Sequence, residues 1–486
     1  MPWENENKKE GKDLGKGKDE HKHKLSIVGI GPGQRELRTV QAETTIHKAD
    51  YVVGYRPYLD LIADLLPGKE VVSSSMGKEV DRAKAAVDLL EKGSVVLVSS
   101  GDANVYGMAG LGLEVAGDAL GQVEIVPGIT SFTAAACRAG LIFRDCVAVI
   151  SLSDLLTPWP EIEGRLRLAA EQRMPAALYN PKSRRRDWQL LKALTIFGEG
   201  TAALVAKDVG RAGEELFWTT AGSLLEDEAL RDRIDMATLV ILDGRGAYRG
   251  EGFGEAEVNV VGIGSGHKGQ LTIEAEGLLK SSSRIFGSER YLELIGEVSP
   301  AEKVAHSGPC PERMAARLRE ASSVAEKGGK ASILAGGDPS IFSSAWRILE
   351  EARGRRRVHV APGVSAFSAV AARAGAPLIN DFILLGRVDE AGNAATMAGA
   401  GYAVVIYNVR GYDIQPLLEE IDPKRPCVLA RDVGRQDEEA MVLTAEDLID
   451  VNPSGFRFTL LVASGNSYIK EGRVIAKRGY ETKYSY

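Results

Sequence analysis

"LSIVGIGPGQRELRTVQAETTIHKAD" runs from Leu25 to Asp50, and "VNVVGIGSGHKGQLTIEAEGLLKSSS" runs from Val258 to Ser283. Each couples a short apolar run to a Gly-x-Gly-x-Gly turn and then to a helix-like segment. A short run rich in Val and Ile that ends at glycine reads as a buried strand. The unit is therefore strand, turn, helix, and this chain carries it twice.

The rest of the sequence repeats with it. Gly29 matches Gly262 at a shift of 233, Gly101-Asp102 matches Gly337-Asp338 at 236, and Pro127-Gly128 matches Pro362-Gly363 at 235. Tyr179-Asn180 matches Tyr407-Asn408 at 228, and "KDVGR" (Lys207–Arg211) matches "RDVGR" (Arg431–Arg435) at 224. Preserved order with drifting offsets marks diverged copies with small insertions and deletions. A period above 200 residues is too long for a solenoid and reads as duplication of a whole domain-sized unit. The expected organisation is a charged, disordered tail over 1–24, a first unit over 25–244, a linker over 245–257 and a diverged second unit over 258–486. The linker is placed by "GRGAYRGEGFGEAE", which is rich in glycine and charge.

Within each unit, short apolar strands alternate with amphipathic helices, the pattern of an α/β protein. In the first unit strands are expected at Ser26–Ile30, Tyr51–Gly54, Val95–Ser99, Val123–Val126, Ala148–Ser151, Ala176–Tyr179, Ala202–Ala206 and Thr238–Leu242. Helices are expected at Val80–Glu91 and Pro160–Glu171. A break near Asp145 predicts two subdomains per unit.

Bulk composition narrows the function. The 486 residues are 44% hydrophobic, enough for real cores, and carry a net charge of −7. That balance argues against a general nucleic-acid binder. No stretch of about 18 apolar residues is present, so no membrane span is expected. The four cysteines, Cys137, Cys146, Cys310 and Cys427, are scattered without a CxxC pair. They predict neither a metal site nor a disulfide framework, and fit reduced thiols in the cytoplasm.

Three glycine turns carry the chemistry. Gly29, Gly31 and Gly33 miss the G-x-G-x-x-G spacing of a dinucleotide site, although Asp50 lies near where a ribose-binding acid would stand. A nicotinamide enzyme therefore stays a competing reading. "SSGDANVYGMAG" (Ser99–Gly110) follows a strand, at the edge where α/β proteins bind ligands. Gly101 gives open backbone and Asp102 a negative charge, suited to a ligand with a positive centre; the alternative is an Asp-capped helix start. "VPGITSFTAAA" (Val126–Ala136) adds Thr130 and Ser131, with the same N-cap alternative. "YNPKSRRRDWQL" (Tyr179–Leu190) is the densest positive cluster. With Lys207 and Arg211 it predicts a polycarboxylate or phosphate ligand, against a merely solvated helix face. The second copy reads "YNVRGYDIQPL" and keeps only Arg410 of that cluster.

Taken together, "VGIGPG", "SSGDANVYGMAG", "VPGITSFTAAA", "VISLSDLLTPWP", "LYNPKSRRR" and "DVGRAGEE" resemble the S-adenosylmethionine-dependent tetrapyrrole methyltransferases of cobalamin biosynthesis. The first half is most similar to the precorrin-3B (cobalt-factor III) C17-methyltransferases. The second half resembles the same superfamily, with a tail, "SGNSYIKEGRVIAKRGY", like the C17 enzymes and an opening like the precorrin-6Y C5-methylating branch. The resemblance implies two α/β subdomains per unit with the cofactor in the cleft between them. It implies cofactor positions at Pro32, Gly101, Asp102, Val105, Tyr106, Thr130, Ser131 and Asn180, and in the second half at Ser265, Gly337, Asp338, Ile341, Phe342, Ser365 and Asn408. Ser265 departs from the family proline.

The resemblance further implies C17 methylation with ring contraction of a macrocycle that supplies its own carbon nucleophile. Lys182, Arg184, Arg185, Lys207 and Arg211 are then candidates for its carboxylates. Asp102 and Asp154 are candidates for the proton transfers, with a helix-cap alternative for Asp154. S-Adenosylhomocysteine is the expected product. The second half methylates another position or is a non-catalytic tetrapyrrole-binding scaffold. Single units of this family work as homodimers, so the two halves are expected to pack as an intramolecular pseudo-dimer, with room for further self-association.

Overall fold

The computed structural model describes residues 23–183, 186–243, 248–249, 258–353, 357–386, 391–411, 413–451 and 458–483. The expected tail 1–24 lies outside these but for its last two residues. So do the expected linker 245–257, apart from Tyr248 and Arg249, and the candidates Arg184 and Arg185.

In the first half β1 (Leu25–Gly29), β2 (Tyr51–Tyr55), β3 (Glu70–Ser74), β4 (Val95–Ser99) and β5 (Val123–Val126) form a parallel sheet in the order β3-β2-β4-β1-β5. β1 leads to β2 on the far side of β4, and β4 leads to β5 on the far side of β1. The loops after these two central strands therefore diverge and leave a crevice at their carboxyl ends, the switch point where such sheets bind ligands. β1 and β4 are buried along their whole length, as their Val and Ile content requires of a sheet covered on both faces.

β6 (Leu141–Ile142) precedes Asp145, and after that residue the chain builds a second layer from β7 (Cys146–Ser151), β8 (Ala176–Tyr179), β9 (Ala202–Lys207), β10 (Glu215–Thr220) and β11 (Thr238–Asp243). β12 (Tyr248–Arg249) pairs back with β6 as a separate two-stranded ladder. The second half repeats the plan. β13 (Val258–Gly262), β14 (Arg284–Gly287), β15 (Glu302–Ala305), β16 (Ala331–Ala335) and β17 (Val358–Ala361) form a sheet in the order β15-β14-β16-β13-β17. β18 (Gly375–Ala376), β19 (Phe382–Leu385), β20 (Ala403–Tyr407), β21 (Pro426–Arg431), β22 (Glu439–Thr444), β23 (Phe458–Val462), β24 (Ser467–Lys470) and β25 (Arg473–Ala476) follow.

The halves are joined through their second layers. One ten-stranded sheet runs β10-β9-β11-β8-β7-β19-β20-β23-β21-β22, so each strand of the first half has its counterpart at the mirrored place in the second. At the centre β7 and β19 pair antiparallel, with Val149 opposite Phe382 and Cys146 opposite Leu385. Both strands are fully buried. The two core clusters on the faces of this sheet each draw side chains from both halves. Phe132 and Phe367, from corresponding helices, stack at 6.1 Å. The first layers also touch: Val40 N–H donates to Leu271 O and Ile273 N–H to Arg38 O, both at 2.9 Å.

The eight strands expected in the first half and the helix expected at Pro160–Glu171 are present within a residue or two, and the break near Asp145 separates the two sheets. The helix expected at Val80–Glu91 runs Glu79–Asp88 and tightens to a 3-10 turn over Leu89–Glu91. β3, β6, β10 and β12 were not anticipated. "EVVSS" of β3 is exposed almost throughout and sits at a sheet edge, where apolar alternation is not needed. Among the described residues no helix is long and apolar enough to cross a membrane.

Candidate functional site

The three glycine turns of the first half meet at the crevice. Gly31 and Gly101 exchange backbone hydrogen bonds at 3.1 and 2.9 Å, locking the β1 turn to the β4 turn. A Cβ on Gly128 would stand 2.3 Å from Gly101 O, and one on Gly33 would stand 2.0 Å from Gly210 O. These glycines are consumed by contacts between turns, and Gly33 in particular abuts the "DVGR" turn instead of a ligand. Gly101 differs. Its φ is +67°, and the nearest atom to an added Cβ is Ile129 O at 3.8 Å, so its bare side faces open space.

Asp102 ties the turns together. Its Oδ1 accepts the Asn104 N–H at 2.8 Å and its Oδ2 the Gly128 N–H at 3.0 Å. Burial pushes its carboxyl up to about 7, although those backbone donors favour the charged form. It caps no helix, since the next one starts at Ala109. Thr130 does cap one, accepting from Thr133 N–H, and also faces the crevice. Three non-glycine residues around the crevice hold left-handed backbone, Tyr106 (φ 52°), Asn180 (53°) and Asp208 (48°); their counterparts Phe342, Asn408 and Asp432 do the same. Such conformations persist where the surroundings impose them, commonly at binding sites.

A cavity of about 480 Å³ opens here between the two layers. Pro32, Gly101, Asp102 and Val105 line it, as do Tyr106, Thr130, Ser131 and Asn180. Of the basic candidates among the described residues, Arg211 borders it, donating to Pro32 O at 2.7 Å. Lys182 and Lys207 stand off the cavity, held by Asp232 (3.0 Å) and Asp235 (2.7 Å). Asp154 is also off it. Its carboxylate takes Arg186 at 3.2 Å and Gln189 at 3.1 Å, and the following helix begins at Trp159 behind Pro158 instead of an Asp cap.

Sequence reasoning missed several lining residues. Tyr179, the neighbour of Asn180, accepts the Phe132 N–H through its phenol oxygen at 3.2 Å. Met76, Leu155 and Met236 form an exposed apolar rim. Arg478 and Tyr480 come from the far end of the second half. The glycine motifs gave no signal for these, because they lie on separate segments brought together only by the fold.

The second crevice repeats the frame at a smaller scale, about 270 Å³. Ser265, Gly337, Asp338, Ile341, Ser365 and Asn408 line it. Phe342 is not among its lining residues and packs edge-on against Tyr407 at 5.1 Å. Ser265, standing for Pro32, donates to Val433 O at 2.8 Å. Asp338 accepts the Ser340 and Gly363 N–H groups, and burial raises it to about 6. Arg290 and Arg435 both pair with Asp432 at its mouth.

The sequence that builds this duplicated crevice matches one family in both copies. The chain belongs to the tetrapyrrole (corrin/porphyrin) methylases, S-adenosylmethionine-dependent methyltransferases, whose family pattern matches residues 24–225 and again 257–449. Among its relatives, a probable cobalt-factor III C(17)-methyltransferase of Salmonella typhimurium is 38% identical over 235 residues, 47% of this chain and 95% of that protein. The cobalamin biosynthesis protein CbiHC of Archaeoglobus fulgidus is 40% identical over 224 residues, 45% of this chain and about half (49%) of that protein. A solved structure of the methyltransferase CobJ is 31% identical, covering 46% of this chain and 95% of that one with a TM-score of 0.41.

Proposed function

We propose that the first crevice performs S-adenosylmethionine-dependent C17 methylation of a corrin precursor, precorrin-3B or cobalt-factor III, with the accompanying ring contraction. The observation that carries this is the joint lining of one cavity by all eight positions the resemblance assigns to the cofactor. The residues fit the cofactor: Gly101 leaves its side chain's space empty, Asp102 supplies a buried carboxyl, and backbone groups of three turns surround them. When bound, the sulfonium supplies the methyl group. The protein's part is to orient the partners and exclude water, which suffices for much of an in-line displacement. The rim of Met76, Leu155 and Met236 suits a flat apolar macrocycle, and Arg211 suits one of its carboxylates. Asp102, close to half-protonated at neutral pH, is the candidate for proton transfer during contraction. Asp154 is engaged by Arg186 and Gln189.

The second half is proposed as the other member of a covalent pseudo-dimer. The smaller second cavity and the pairing of Arg290 with Asp432 favour a scaffold over a second methylation site. Incubation with S-adenosylmethionine and cobalt-factor III, read by mass spectrometry and by NMR of the product, tests the proposal. One new methyl on C17 is expected. Methylation at another carbon, or preferential binding of NAD, overturns it.

A further inference from the structure

The described residues lining the second cavity all belong to the second half, whereas the first cavity is completed by Arg478 and Tyr480 from the second half. The route is built into the fold. β24 and β25 form a hairpin, and β25 runs parallel to β18, with Ile475 opposite Ala376. Ile475 and Ala376 are fully buried in the core of the first layer of the first half. At Gly110, in that layer, a Cβ would come within 3.3 Å of Ala476 O. The chain leaving β25 is thus delivered at the mouth of the first crevice.

Arg478 is held there by its surroundings. Its guanidinium lies 4.7 Å from the ring centre of Tyr106, and Nη1 donates to Ile379 O. Tyr106 is itself fixed by donating its hydroxyl to Asp381 Oδ1 at 2.8 Å, and Arg165 pairs with Asp381 at 2.9 Å. Asp381 is thereby committed to Tyr106 and Arg165. Among the described residues no carboxylate pairs with Arg478. An Arg carries five N–H donors in a rigid fork matched to carboxylate. One donor bonds Ile379 O, the rest of the fork borders the cavity, and Arg211 borders the same cavity.

We infer that Arg478 binds a carboxylate of the macrocycle, so that the second half contributes a substrate-binding residue to the site of the first. The inference rests on reading the first crevice as the methylation site. It also gives the diverged second half a task that needs no chemistry of its own.

The test uses the full chain with Arg478→Ala and Arg478→Lys. Three quantities are measured: KM and kcat with cobalt-factor III, S-adenosylmethionine affinity by calorimetry, and uroporphyrin III binding by fluorescence, which needs no turnover. For Arg478→Ala the KM and the uroporphyrin dissociation constant should rise about tenfold, the loss of one charge-assisted contact. S-Adenosylmethionine affinity, kcat and melting temperature should change little. Arg478→Lys, which keeps charge and loses the fork, should fall between. Uroporphyrin binding unchanged in Arg478→Ala, while the parent protein still methylates cobalt-factor III, overturns this inference and leaves the proposed function standing. A parent protein that binds uroporphyrin through Arg478 but methylates another carbon does the reverse.

Discussion

Arg290 pairs with Asp432 across the second crevice, and the first crevice has Pro57 and Asp208 at the corresponding positions, where the proline has no charge to offer. Two copies of one frame have thus diverged at the mouth and kept the same backbone at the base. Arg290→Ala removes this link while Arg435 still holds Asp432 at 3.1 Å. Arg290 is partly exposed, so a loss of about 1 kcal/mol is expected, seen as a lower urea midpoint. The C17 product should be unaffected and no second methylation should appear. A doubly methylated product would show that the salt bridge had been masking an active second site.

On the proposed reading, Asp102 should make cofactor binding depend on pH. Burial raises its carboxyl to about 7, so the site is negative above that pH and neutral below it. S-Adenosylmethionine should bind more weakly at about pH 6 than at about pH 8, and S-adenosylhomocysteine, which lacks the positive sulfur, should change less. Asp102→Asn should flatten the difference. The same shift acts on stability with a fixed sign. The folded value lies above the free value of about 3.9, so the folded protein binds this proton more tightly. Its contribution is complete below about pH 4 and is lost as pH rises through about 7. Parallel pH profiles for the two ligands, by calorimetry, would remove Asp102 from cofactor recognition.

The shared sheet makes the two halves one folding unit. With β7 and β19 at its centre and both cores drawing on both halves, neither can unfold alone without exposing a buried strand. Urea unfolding followed by Trp346 in the second half and by Trp159, Trp188 and Trp218 in the first should give one coincident transition. Phe132→Ala, at the stacked Phe132–Phe367 contact, should lower both signals together by about 3–5 kcal/mol. Two separated transitions would contradict this.

Arg425 is nearly fully buried, with its guanidinium given to the carbonyls of Ala463, Ala398 and Tyr402 at 2.6, 2.7 and 2.6 Å. Burial lowers it to about 10. It clamps the loops around β20, β21 and β23. Arg425→Ala would strand three carbonyls and should destabilise by about 2–4 kcal/mol, measured by denaturant unfolding. S-Adenosylmethionine affinity at the first site should be unaltered in the folded fraction.

Much of this was legible in the sequence because it rests on local chemistry. "SVVLVSSGD" is a buried strand ending in a glycine and an acid, and strand and turn follow from that spacing, whereas the cofactor positions are what the family resemblance implies. The edge strand "EVVSS" was not legible, since an exposed edge needs no apolar pattern. The pairing of β7 with β19 was not legible either: "CVAVIS" and "FILL" are apolar on both faces, and such runs do not name their neighbour. Two members of the basic set illustrate a related limit of one-dimensional reading. Lys182 and Lys207 looked available in one dimension, but the fold places Asp232 and Asp235 against them. Arg478 had no local signal, because only the β24–β25 hairpin carries it to Tyr106.

The most direct test places one bulky side chain in each crevice separately. Gly101 and Gly337 both hold left-handed backbone, with no atom nearer than 3.8 Å to an added Cβ, so a large side chain there projects into the cavity. Gly101→Trp and Gly337→Trp are each incubated with S-adenosylmethionine and cobalt-factor III, with folding checked by circular dichroism, and the C17-methylated product is measured by mass spectrometry. Gly101→Trp should abolish the product and Gly337→Trp should leave it largely intact. Loss of product in a folded Gly337→Trp, with Gly101→Trp still active, would assign the chemistry to the second half and contradict the account.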